Sequence, residues 1–279
     1  MTDNSLRVES AIAERFGEKI APVADQSGAD ALARMLEHRS HRRYTPQAVD
    51  PALLRVLFAC ALSAPSKSDL QQADIVQVAD AAKRKTIADL IPDNPWVRAA
   101  PVFLIFCGNN RRTRQVAEMR GKPFANDHLD AFMNSAVDAG IVLASFIHAA
   151  EAAGLGCCPI SSVRNHSQAV SDLLGLPDWV FPLAGLCVGY PAEPGVVTSR
   201  LGLDVTVHTD RFDDANVAAS IDGYDRRRIA RQQYKKQRDL ERFGAASLYG
   251  WSEDKARQYA KPERADFGAF IRGKKFNLS

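Results

Sequence analysis

The chain has 279 residues, 46% of them hydrophobic and 25% charged, which is enough to build a buried core and excludes an intrinsically disordered chain. A net charge of +3 is too small to argue for nucleic acid from the total, so only local clusters carry electrostatic meaning. The five cysteines, Cys60, Cys107, Cys157, Cys158 and Cys187, form no CxxC pair and sit mostly in apolar runs, the pattern of buried thiols in a reducing compartment rather than of disulfides or zinc ligands.

The N-terminal "MTDNSLRVESAIAERF" carries acids and has no continuous apolar stretch behind a basic start, so it does not read as a secretory signal, and a cytoplasmic protein is expected. Residues 1–27 are weakly patterned. "ADQSG" at 24–28 reads as a linker into "ADALARMLEHRS", whose apolar spacing is helical, so the first firm element starts near Ala29.

The next stretch, "EHRSHRRYTPQAVD" at 37–50, packs His38, Arg39, His41, Arg42 and Arg43 into six positions with no acid among them. It lies where a helix ends and a turn begins, because Tyr44, Thr45 and Pro46 close the pattern. If the helix continued, Arg42 would share a face with His38 and Arg39, a repulsion of roughly a few tenths of a kcal/mol per pair that a dianionic phosphate would offset. A solvated helix end is the plainer alternative.

"VDPALLRVLFACALSAPS" reads as a helix with Asp50 capping, Pro51 in the first position and Pro65 ending the run. "DIVQVAD", "APVFLIFCG", "GLGCCPI" and "FPLAGLCVGYP" read as four strands, separated by helical segments at roughly 80–90, 127–153 and 166–175. Interleaving of this kind predicts an α/β or α+β sandwich.

The helix from Asp127 to Ala153 would be roughly 40 Å long at 1.5 Å per residue and is apolar nearly all round. Asp130, Asn134 and Asp138 argue against a membrane span and for a buried helix. We expect a second copy of the chain to cover it, with a central helix inside a monomer as the alternative. The later "YDRRRIARQQYKKQRDLERF" reads as a charged helical tail with little apolar stripe, which a partner surface is expected to hold.

Two further stretches could carry chemistry. "SAPSKSDLQ" at 63–71 is a hydroxyl-rich turn able to donate to a planar heterocycle. "PISSVRN" at 159–165 leaves a strand through two small residues, and there Arg164 can face an anion. Each alone is a loop.

In their order along the chain, "HRSHRRYT", "APSKSDLQ", "APVFLIFC", "GLGCCPISSVRN", "FPLAGLCVGYP" and "WSE" resemble the nitroreductase family, in the branch of the NADPH-dependent nitroreductases and flavin reductase P. The resemblance covers about Ala29 to Phe276. It implies an α+β fold with a central, mainly antiparallel sheet flanked by helices, in an intertwined homodimer. The implied divisions are an N-terminal extension at 1–28, a flavin-binding core at 29–195 and, at 196–279, a C-terminal arm and helical tail on the partner subunit.

The resemblance also implies bound FMN and an NADPH or NADH co-substrate. Arg39 and Ser40, with Arg200, would hold the phosphate beside His38, and Arg42 would reach N1 and O2, where a cation stabilises the charge that builds on reduction. Ser66, Ser68 and Gln71 would contact the flavin across the dimer interface, and Ser162 would offer its backbone amide to N5. Arg264 and Arg238 would serve the extra phosphate of NADPH. Three departures touch this set: Ser161 and Ser162 stand where the family has glycines, Thr198 where it has a lysine, and Asn94 where the branch has a glutamine.

The implied reaction is a two-electron transfer in two halves to a small-molecule acceptor, a nitroaromatic, a quinone or free flavin, with stacking and distance as the main catalytic devices and no obligatory side-chain acid. Asp138 and His148 read as satisfied polar residues of the long helix, and Cys157 and Cys158 as inert buried thiols. No nucleic acid, membrane or metal is expected. The rivals are other chemistry on the same fold, such as reductive dehalogenation or flavin fragmentation, and a non-catalytic dimer that binds a polyanion.

Overall fold

A computed structural model describes residues 3–19 and 28–279; residues 24–27 of the expected linker lie outside them. In chain order the elements are α1 (Asp3–Phe16), α2 (Ala29–Leu36), α3 (Pro51–Leu62), β1 (Ala73–Gln77), α4 (Ala81–Leu90), α5 (Trp96–Ala99), β2 (Val102–Asn109), α6 (Arg111–Met119), α7 (Leu129–Ala152), β3 (Gly156–Ile160), α8 (Ser167–Leu174), β4 (Val180–Gly189), α9 (Leu203–Thr206), α10 (Val217–Arg231), α11 (Leu240–Phe243), α12 (Trp251–Tyr259) and α13 (Phe267–Gly273). They fall into two compact units. One comprises Met1–Arg39 and Val196–Glu263, the other Ser40–Gly195 and Arg264–Ser279.

The second unit is built on a four-stranded sheet in the order β1-β2-β4-β3, antiparallel throughout, so the four strands and the α+β class read from the sequence are present. The two central strands are apolar along almost their whole length because helices cover both faces. Period-two alternation divides β2 between them. Val102, Leu104 and Phe106 join Leu54, Leu57, Val142 and Phe146 of α3 and α7. Phe103, Ile105 and Cys107 join Ile87, Val97 and Val163 on the opposite face.

The register skips one residue of β4, Leu183, between the pairs Phe106↔Ala184 and Cys107↔Pro182. Proline has no amide to donate to a ladder, and a bulge beside it is the usual accommodation. Arg164 donates to the carbonyl of Leu183, the residue left unpaired.

Within one chain α7 is only partly buried, so it is not the central helix inside a monomer that was the alternative reading. One side lies on the sheet and α3, whereas Met133, Val137 and His148 on the other are exposed. Of the described residues, α7 is the one helix long and apolar enough to cross a membrane, and its buried face belongs to the sheet's core. Cys60 on α3 is exposed, while the other four cysteines are buried as expected.

In the first unit, α1 packs on α2, with Arg7 bridging Asp30 and Glu37. The charged tail is not one helix over 224–243. α10 begins earlier, at Val217, and stops at Arg231, and Asp239 has a left-handed backbone with φ 50° that no helix interior tolerates. Within its own unit the tail is held by polar and aromatic contacts. Asp225 accepts from the Trp251 and Ser252 amides at the start of α12, the Tyr224 hydroxyl donates to the Ser199 carbonyl at 3.0 Å, and Tyr224 meets the Trp251 ring edge-on at 5.6 Å.

Candidate functional site

Because α2 ends at Leu36, the basic stretch continues as extended chain and never forms the shared helical face considered from the sequence. Ser40 bridges Cys157 of β3 in parallel and the His41 amide donates to the Cys157 carbonyl at 2.9 Å. Tyr44 bridges Pro191, while Thr45 donates to Tyr190 and Ala192 to Arg43. The stretch therefore edges the β3 side of the sheet, and successive side chains leave it on alternate sides.

Two glycines of the recognised motifs make this close approach possible. A Cβ on Gly156 would stand 2.7 Å from the His41 ring, and one on Gly189 would stand 2.6 Å from Pro101 and 3.0 Å from the Tyr44 ring. Burial pushes the Tyr44 hydroxyl far above its ordinary range, so it stays a neutral donor to the His41 carbonyl.

The arginines of the stretch differ in their partners. Arg43 faces Glu193 at 3.4 Å with both groups exposed. Arg42 lies over the Trp96 ring, 5.3 Å from its centroid, an arrangement worth about 0.5–1 kcal/mol at an exposed site. Neither Arg39 nor Arg42 has a carboxylate partner among the described residues. The Cys158 thiol beside Arg42 is raised by burial, against which the guanidinium acts, and Cys157 is raised further by burial; both behave as core residues.

Where β3 ends, Ser161–His166 form a 3₁₀ turn that runs into α8. Neither Ser161 nor Ser162 has positive φ, so the serines meet no left-handed strain where the family has glycines. The Asn94 amide donates to the Ser162 hydroxyl at 2.9 Å. Arg264, itself left-handed at φ 57°, donates to Asn165 Oδ1 at 2.7 Å and reaches Ser161 Oγ at 3.5 Å. The turn at 94–96 thus carries Asn94 to Ser162 and Trp96 to Arg42. Sequence reasoning missed Trp96 and Asn165; the first stands two residues beyond Asn94 and was open to the same argument.

The serine loop lies at the opposite edge, leading into β1. The Asp138 carboxylate, only 2% exposed, accepts from Ser66 Oγ at 2.7 Å and from the Lys67 and Gln72 amides at 3.1 and 3.2 Å. Ser66 Oγ in turn accepts from the Gln71 amide at 2.8 Å. Asp138 is thus the satisfied polar residue expected, whereas His148 is exposed. With three donors fixed to one carboxylate, Ser68, Asp69 and Gln71 are held left-handed, at φ 49°, 56° and 51°. The loop borders a cleft of about 920 Å³ that Phe58, Leu62 and Val142 also line. Three interstrand steps of about 4.8 Å separate β1 from β3, so this loop and the Arg42–Ser162 group are roughly 14 Å apart or more on one sheet.

The other expected site residues belong to the first unit. His38 and Arg39 follow α2 directly. The Arg200 amide donates to the Arg15 carbonyl at 2.7 Å and its guanidinium to Thr198 Oγ1 at 2.6 Å. Arg238 pairs with Asp254 at 3.0 Å. Burial alone would raise Asp254, but Lys255, Tyr249 and Arg238 hold it below its ordinary value.

Residues 35–190 match the Nitroreductase family and residues 199–279 the C-terminal domain of the Nitroreductase family. The chain is 35% identical over 199 residues to an FMN reductase [NAD(P)H] of Bacillus subtilis, covering 70% of this chain and 80% of that one. It is 32% identical over 196 residues to an NADPH-flavin oxidoreductase of Vibrio harveyi, again covering 70% and 80%. In solved structures it resembles NfrA2 of B. megaterium, with a TM-score of 0.81 at 31% identity over 90% of this chain and 99% of that one. It also resembles the NADPH:FMN oxidoreductase of V. harveyi complexed with NAD+, with a TM-score of 0.75 at 28% identity over 88% and 97%.

Proposed function

The chain belongs to the nitroreductase family, and from that membership we infer an NAD(P)H-dependent oxidoreductase, a nitroreductase or flavin reductase that works with FMN. Arg42 carries the reading, a cation with no carboxylate partner among the described residues, next to a hydrogen-bonded floor of Asn94 and Ser162. An anionic ligand with a flat ring fits that chemistry: guanidinium groups donate charge-assisted hydrogen bonds to phosphate or to the pyrimidine edge of a flavin.

Within the core proposed at 29–195, His38, Arg39 and Ser40 would hold the phosphate, together with Arg200 from the arm at 196–279. Arg42 would face the N1 and O2 edge and favour the charge that collects there. Ser161, Ser162 and Arg164 would border the ring, with Asn94 fixing the Ser162 hydroxyl. FMN would supply the two-electron chemistry, taking a hydride from NADPH or NADH and then passing electrons to a nitroaromatic, a quinone or free flavin, in a ping-pong sequence.

A homodimer is part of the proposal. Ser66, Ser68 and Gln71 lie across the sheet from Arg42, so in one chain they flank a different cleft; a two-fold partner would bring its own serine loop to the flavin. The exposed Val56 and Leu62 of α3 and Met133 and Val137 of α7 offer an apolar face to such a partner. Of the two arginines proposed for NADPH, Arg264 lies beside Ser161 and Asn165, and Arg238 is paired with the buried Asp254. We propose a cytoplasmic enzyme.

The test is steady-state oxidation of NADPH and of NADH with a nitroaromatic and with free FMN. Parallel double-reciprocal lines and a lower KM for NADPH support the proposal. Turnover with neither nicotinamide would overturn it.

A further inference from the structure

α1 lies outside both matched segments, which begin at residues 35 and 199, yet it holds the ends of two stretches on which the proposed phosphate site depends. The link is Arg15, in the last turn of α1 and only 5% exposed. Its Nε donates to the Leu36 carbonyl at 2.6 Å and its Nη2 donates to the His38 carbonyl. Its own backbone carbonyl accepts from the Arg200 amide at 2.7 Å. One residue therefore joins the backbone just before Arg39 to the backbone of Arg200.

The surroundings hold Arg15 in place. Arg231 of α10 donates to both the carbonyl and the carboxylate of Glu14, and Arg227 donates to the Arg200 carbonyl at 2.7 Å. Gly17, with φ +75°, ends the α1 region beneath Arg227; a Cβ there would stand 2.6 Å from that side chain. A planar guanidinium satisfies two carbonyls in fixed geometry, and the carbonyls at the C-terminal end of α2 favour a cation. A lysine would have to reach both carbonyls from one nitrogen on a flexible stem, without the rigid fork that sets the two donors of the guanidinium apart.

We propose that α1 is a clamp for cofactor retention and that Arg15 is a positioning residue for the flavin phosphate. It acts through His38, Arg39 and Arg200 without touching the ligand. The inference rests on the proposed FMN site. Its consequence is selective: a fault at Arg15 weakens the grip on the phosphate and leaves the grip on the ring alone.

The experiment measures the binding of FMN and of riboflavin, which lacks the phosphate, to flavin-stripped full-length protein by fluorescence quenching, for the natural chain, Arg15→Ala and Arg15→Lys. The natural chain should prefer FMN. Arg15→Ala should weaken FMN at least about tenfold with riboflavin changed less than about twofold, and Arg15→Lys should fall between. An unchanged ratio of the two affinities in either variant overturns the clamp, even where the melting temperature drops. If Arg15→Ala does not fold, the ratio in Arg15→Lys decides alone. Failure of the natural chain to bind either flavin instead sinks the proposed function.

Discussion

The protein has two arginine-rich regions that look alike as text and differ as structure. In the tail, Arg231 pairs with Glu14, Arg238 with Asp254 and Arg257 with Glu253, and Arg228 reaches the Tyr224 hydroxyl. In the stretch at 38–43, Arg39 and Arg42 have no carboxylate among the described residues. Those four tail arginines serve the tail's own fold, whereas Arg39 and Arg42 lack such an acidic partner and are proposed to meet a ligand. A cluster becomes informative about function when its internal partners have been counted.

The comparison can be broken by substitution. The largest effect should come from the polar network that most resembles the tail in being fully engaged. Asp138→Ala removes the acceptor shared by the Ser66 hydroxyl, the Lys67 amide and the buried Gln72 amide, at a cost of roughly 3–5 kcal/mol, or on the order of 10 °C in Tm by thermal circular dichroism. A shift under about 3 °C would show that the loop is not organised by this carboxylate. Arg42→Ala should weaken FMN binding at least about tenfold with little change in Tm, while Arg43→Ala, which loses only an exposed pair, should change FMN affinity less than about twofold. Equal losses in the two variants would erase the distinction drawn here.

Packing provides the next test. Gly156→Ala drives a Cβ into the rigid His41 ring and should cost about 1–3 kcal/mol in denaturant unfolding while loosening FMN, because the ring and Arg42 share one extended segment. For the nicotinamide, Arg264→Ala should raise KM for NADPH severalfold more than KM for NADH, whereas Arg238→Ala should act mainly on stability.

The smallest effect concerns acid. Asp254 is held below its ordinary value, so its contribution is complete above the unfolded pKa near 3.8 and is lost as pH falls through the lower folded value. Asp254→Asn should therefore flatten the decline of stability below about pH 4.

The strands were legible because β2 and β4 are covered on both faces and read as uninterrupted apolar runs bounded by glycine and proline. α6 was not. Arg111–Met119 has no buried residue to create an apolar period, and its local signals are polar: the Asn109 side chain accepts from the Arg112 amide and the Asn110 side chain from Arg114. The tail helix was misjudged at both ends because polar partners distant in sequence, Asp225 with Ser252 and Arg231 with Glu14, decide its course. At the site, the chemistry of the basic stretch could be read, but its extended geometry could not, since that follows from pairing with β3 more than a hundred residues away. Arg15 was invisible for the same reason: an arginine at the end of an amphipathic helix gives no hint that it binds carbonyls at Leu36 and His38.

The central claim is that Arg39 and Arg42 are available for the anionic and pyrimidine ends of a flavin. The most direct measurement is the visible spectrum of the purified protein, followed by heat release and identification of the chromophore. The account predicts a yellow protein that releases FMN in a ratio of about one per chain, and an Arg39→Ala/Arg42→Ala protein that is folded and colourless. A natural chain that is colourless and stays so after incubation with FMN would contradict it.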